Sequence, residues 1–138
     1  MKTAFLSLVA IFVFNIFGLY FGWYLDYFWF DMTLHFLGGF FMAIFLSIYL
    51  KDHLLDNSKL KNTLIILGVV SFVGVTWEFA EYIANQTLIE PFYKYFGVKS
   101  YFMGDLADTV NDLTLDMLGA ASFAWLHLLR RGKTAIKN

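Results

Sequence analysis

Gly104-Asp105-Leu106-Ala107-Asp108-Thr109-Val110-Asn111-Asp112-Leu113-Thr114-Leu115-Asp116-Met117-Leu118-Gly119 places four aspartates at steps of three, four and four. At about 100° per residue, Asp105, Asp108, Asp112 and Asp116 share an arc of roughly 80° on one helix face. Gly119 falls inside that arc, and Asn111 and Ser122 sit at its edge. The opposite face carries Leu106, Val110, Leu113, Leu115, Met117 and Leu118. An apolar run from Ala120 to Leu129 follows and ends in Arg130-Arg131. The stretch therefore reads as the acidic mouth of an apolar helix.

The rest of the chain says what kind of helix this is. Of 138 residues, 59% are hydrophobic and 21% aromatic, while 15% are charged against about 25% in soluble domains. Together with a mean hydropathy of +0.62 and a single proline, this predicts an all-α, multi-pass membrane protein in one domain, residues 1–138. Four spans are expected, roughly 4–24, 32–50, 63–84 and 105–129. The first is too long for a signal-peptide core and has no small-residue cleavage site after it, so it reads as retained. Gly18 and Gly22 in it have the G-x-x-x-G spacing of close helix contacts. Trp23, Tyr24, Tyr27 and Trp29 read as an interfacial aromatic belt. The link 85–103, in which Pro91 is expected to break helix, is rich enough in Phe and Tyr to lie in the membrane interface.

Basic residues orient the spans. With four spans, the termini and the middle loop share one side and hold eight of the ten lysines and arginines, leaving Lys94 and Lys99 on the other. The termini are thus expected on the cytoplasmic side of the inner membrane. Cysteine is absent, which excludes disulfides and thiolate chemistry. No basic run or Gly-rich phosphate loop points to nucleic acid or nucleotides.

Three motifs then converge on the outer end of the bundle. Asp31 and His35, four apart, open the second span; Glu78 and Glu81, three apart, close the third; Asp108, Asp112 and Asp116 open the fourth. An aspartate at the bilayer centre costs about 2.5–3.5 kcal/mol on insertion scales, so several ionised, dry acids cannot share one site. Shared protons, entering water or a bound cation would relieve them, and no Lys or Arg lies at that level to do so. Carboxylates with one imidazole suit a divalent cation, Mg²⁺, Ca²⁺, Mn²⁺ or Zn²⁺, with Glu78, Asp108, Asp112, Asp116 and His35 as its expected ligands. Gly38, Gly39, Gly74 and Gly119 would leave room for a neighbouring helix or a bound group. Such a site would hold a cation or a polar envelope ligand, or serve a metal-dependent hydrolase or transferase on a lipid-linked or glycan substrate. The same acids would also make a purely structural polar network.

Blander roles fit other residues. Asp31 and Asp105 suit helix N-caps or first-turn acids. Asp26, Asp52, Asp56, Glu90 and His53 suit solvated loops, and His127 suits the cytoplasmic interface. The exposed membrane faces allow a homodimer.

Asp31-Met32-Thr33-Leu34-His35-Phe36-Leu37-Gly38 resembles the opening motif of the VanZ-like membrane proteins. Trp77-Glu78-Phe79-Ala80-Glu81 and the Asp108, Asp112, Asp116, Gly119-Ala120 series resemble more closely the YjdF-like bacterial inner-membrane proteins. This chain has Glu81 where the VanZ group has Gln and lacks the Arg that precedes its last helix, departing from the glycopeptide-resistance pattern. The resemblance implies a four-helix membrane domain with an outward polar site and names no reaction; a binding module at that site would act in cell-envelope homeostasis or resistance.

Overall fold

The computed structural model describes residues 1–54, 58–100 and 102–135, with side chains described through Leu126. Its elements are helical throughout: α1 (Lys2–Phe21), a single turn α2 (Trp23–Asp26), α3 (Phe28–Tyr49), a 3-10 turn (Lys51–His53), α4 (Lys59–Thr87), α5 (Ile89–Phe96) and α6 (Leu106–Ala135). Among the described residues, three helices, α1, α3 and α4, are long and apolar enough to cross a membrane. The long helix α6 falls where the fourth span is expected, but the acids on it keep it from qualifying on apolarity alone.

Helix boundaries differ from expectation in instructive ways. The first helix stops at Phe21 because Gly22 takes the left-handed conformation (φ 73°) as its C-cap. Gly22 is therefore a turn residue, and the Gly18/Gly22 pair is not a helix-packing motif. Gly18 is buried, with the Phe30 ring lying where a side chain would begin and Tyr24 beside it, and this joint pins α1 to α3. The second long helix begins at Phe28, so Asp31 is its fourth residue, a first-turn acid as expected and not its cap. Pro91 does not interrupt a helix either. It occupies the first turn of α5, where its missing N–H forfeits no helical hydrogen bond. α5 is amphipathic, with exposed Ile89, Tyr93 and Phe96 against Glu90 and Lys94.

The bundle is built on α3. Its most extensive pairing is with α6, then come α4 on α6 and α1 on α3. The α3–α6 contact is close because glycines face backbone. A Cβ on Gly119 would overlap the Phe36 carbonyl, and one on Gly39 would overlap the Asp116 carbonyl. Gly39 and Gly119 therefore sit at a backbone-to-backbone crossing. Ala43, Leu46, Ile66, Val70 and Ala120 form the dry core on one side of this crossing. The acids lie on the other.

Candidate functional site

Helix periodicity delivers the site from three directions. On α3, Asp31 and His35 stand one turn apart and face α6; on α4, Glu78 and Glu81 do the same from the far side; on α6, Asp112 and Asp116 point back at both. His35 is the hinge of the cluster. Its Nε2 lies 3.5 Å from Asp31 Oδ1, and its Nδ1 lies 3.5 Å from Asp116 Oδ1. Asp31, His35 and Asp112 each offer a donor atom within 4.8 Å of the others, as do His35, Glu78 and Glu81. Two ligands on opposite sides of an ion with bonds of about 2.0–2.6 Å lie roughly 4–5 Å apart, so both trios have the span of a cation site.

The acids are not equivalent. His35, Glu78, Asp112 and Asp116 are 7%, 5%, 2% and 7% exposed. Glu78 Oε1 and Asp112 Oδ1 are buried without a hydrogen-bond partner among the described residues. Glu81 is half-buried, and its Oε1 accepts a 2.8 Å hydrogen bond from Trp77 Nε1. Asp31 is also half-buried. Asp116 fills a slot made for it. Its Oδ2 would stand 2.5 Å from a Cβ at Gly74, while Gly38 leaves an ordinary 3.9 Å to Oδ1.

Asp108 and Asp105 stand apart. Asp108 folds back onto Gly104, where its carboxylate occupies the place of a Cβ, and it belongs to neither donor trio. Asp105 is the N-cap of α6, accepting from the backbone N–H of Ala107 (2.9 Å) and Asp108 (3.1 Å) at one oxygen. Asp26, Asp52, His53 and Glu90 are exposed as expected, though they lie in α2, the 3-10 turn and α5 and not in loops, while Asp56 and the side chain of His127 lie outside the described residues.

Sequence reading missed three contributors. Tyr24 is not simply belt. Its hydroxyl is buried at the edge of the acids, beside Asn15 but outside strict hydrogen-bond geometry. Thr109 Oγ1 is buried and unpartnered, beside Glu78 but outside hydrogen-bond geometry. Asn15 of α1 reaches the same region through a cavity of about 200 Å³ that also touches Asp31, His35 and Asp116. Asn15, the amide near the middle of an apolar span, was the available signal. Tyr24 gave none, because the break at Tyr27 removes any helical register between it and Asp31.

The sequence profile of one family, described as predicted membrane protein (DUF2238), matches residues 1–133. The chain belongs to this YjdF-like family of membrane proteins. The match does not extend to the VanZ-like group. No curated protein and no solved structure matches the chain.

Proposed function

We propose that this chain is a four-span protein of the cytoplasmic membrane that binds one divalent cation between α3, α4 and α6, at the end away from the cytoplasm. On this reading α6 is the fourth span, entering the bilayer because its acids face the cation and not lipid. Asp31, His35 and Asp112 hold the ion, with Glu78 and Glu81 completing the set across His35. Asp116 orients the imidazole through Nδ1, as carboxylates commonly do behind a metal-bound histidine. Mg²⁺, Ca²⁺, Mn²⁺ and Zn²⁺ all accept this mix of oxygen and nitrogen donors.

The observation that carries the proposal is the pair of unpartnered oxygens. A buried polar atom without a partner costs about 1–3 kcal/mol, more when charged. Glu78 Oε1 and Asp112 Oδ1 both incur that cost within a cluster whose donors already have ion-site spacing.

Metal content of the purified protein in detergent tests this directly, beside Asp112→Asn and, as a control outside the cluster, Asp105→Asn. Near-stoichiometric metal in the parent and control, lost in Asp112→Asn with the fold intact, supports the site. No metal in any of the three, with Asp112→Asn at least as heat-stable as the parent, overturns it in favour of a hydrogen-bonded staple. A catalytic role, as a metal-dependent hydrolase or transferase, is favoured by one observation only, the cavity that opens beside His35.

A further inference from the structure

The cavity is polar at one end only. It lies between α1, α3 and α4. Asn15, Asp31, His35 and Asp116 give it polar groups, and Leu8, Ile11, Met42, Val70 and Val73 continue it as an apolar slot. From Asp31 to Met42 along α3 is eleven residues, about 16 Å, or about half the hydrocarbon thickness of a bilayer. The slot therefore runs from the acid end toward the middle of the membrane, as one chain of a lipid in a single leaflet does.

The slot is loosely walled on its α1–α4 side. Among the described residues, α1 packs on α3, but no Cα of α1 comes within 8 Å of one in α4. Phe12 and Trp77 bridge the gap edge to face, with ring centroids 6.2 Å apart. About 200 Å³ is below the roughly 300–1,000 Å³ of a pocket that encloses a drug-sized ligand. It takes part of one chain while the remainder stays among the surrounding lipid.

We infer that the α1–α4 cleft admits a lipid phosphate from the bilayer, its chain in the slot and a phosphoryl oxygen on the cation held by Asp31, His35 and Asp112. The inference rests on the cation reading, because bare carboxylates would repel a phosphate. Asp31 and His35 belong both to the donor trio and to the cavity wall, whereas Asp112 and Glu78 stand behind them. The coordination position facing the cavity is therefore the one a ligand from the membrane reaches, and Asn15 lines the same end to donate to a second phosphoryl oxygen.

Trp77 makes the test direct, since it lines the cavity and Trp23, Trp29 and Trp125 do not. Full-length protein in maltoside detergent is titrated with Mn²⁺, followed by electron paramagnetic resonance, and then with dodecyl phosphate brominated at its chain end, followed by tryptophan quenching. Expected are saturable quenching that needs Mn²⁺, its loss in Trp77→Phe, and roughly tenfold or weaker binding in Val73→Phe with Mn²⁺ affinity unchanged. Leu8→Phe fills the slot from the other wall and is expected to act alike. Brominated phosphatidylglycerol as a second probe separates the sources: tighter binding of the monoester points to a chain-linked monophosphate, tighter binding of the diester to bulk phospholipid, and both support the cleft. Mn²⁺ binding without saturable quenching overturns the cleft and leaves the cation site standing, as does equal quenching by brominated dodecanol. Absence of Mn²⁺ binding removes the cation reading and this inference with it.

Discussion

Gly39 of α3 lies directly against the backbone carbonyl of Asp116 on α6, so the two helices touch main chain to main chain at the level of the acids. Gly38, next to it, has only the Asp116 carboxylate 3.9 Å away. Gly39→Ala is expected to lower thermal stability in detergent by about 1–3 kcal/mol, the usual cost of overpacking, and to weaken cation binding by spreading Asp116 from His35. Gly38→Ala is expected to be near neutral. Equal effects at the two positions would contradict the crossing described above.

Asp112 and Asp116 are expected to differ in kind. Asp112→Asn removes a ligand and should abolish stoichiometric cation binding. Asp116→Asn removes only the group facing His35 Nδ1, 3.5 Å away, and should weaken affinity about 10–100-fold without abolishing binding. Titration of both variants with Mn²⁺ compares them. Identical behaviour would place Asp116 on the ion.

Cation binding should strengthen as pH rises. Carboxylates and imidazole must be deprotonated to coordinate, so binding releases protons and acid reverses it. The stability contributed by the ion is present at higher pH and lost as pH falls. At free cation about 100-fold above its dissociation constant, that contribution is about 2.7 kcal/mol. Thermal unfolding with and without chelator, across pH, should show the chelator's effect shrinking toward acid. A chelator effect that is constant with pH would rule out protonatable ligands.

Asp105→Ala should cost about 0.5–2 kcal/mol, since its carboxylate satisfies two backbone donors at the start of α6. Cation affinity should not change. Calorimetry for stability and Mn²⁺ titration for binding separate the two readouts.

The absence of cysteine permits single-cysteine mapping without background. A cysteine at Lys99 should react with a membrane-impermeant maleimide in intact cells, and one at Lys51 only after lysis, in accord with the basic-residue asymmetry. The reverse pattern would invert the proposed orientation and put the cluster on the cytoplasmic side.

Much of this was legible because helices in lipid leave few alternatives. Every backbone polar group must be satisfied within the segment, so apolar runs could only become helices. The i,i+4 spacing of Asp31 and His35 then fixed a shared face, and the structure brings both beside Asp112. Illegible was what depends on crossing geometry. Asp108 has the same helical phase as Asp112, yet it lies a turn nearer the helix start and folds onto Gly104. Gly74 was expected to leave space beside the acids and does so, but only the crossing geometry makes the Asp116 carboxylate the group that fills it. Gly22 and Pro91 were misread because each sits at a helix end, where the residue that would break a helix instead ends or begins one.

The acid-bearing helix is also the last of the four long helices to be synthesised, and by apolarity it is the weakest candidate for insertion on its own. On the four-span reading its biogenesis is conditional. The translocon can release α1, α3 and α4 into lipid one by one, but α6 becomes tolerable there only once a partner groove waits for its aspartates. Gly39 and Gly74 are that groove's clearance and Gly119 is its match on α6, so the close approach that holds the finished bundle together is also what admits its last helix to the membrane.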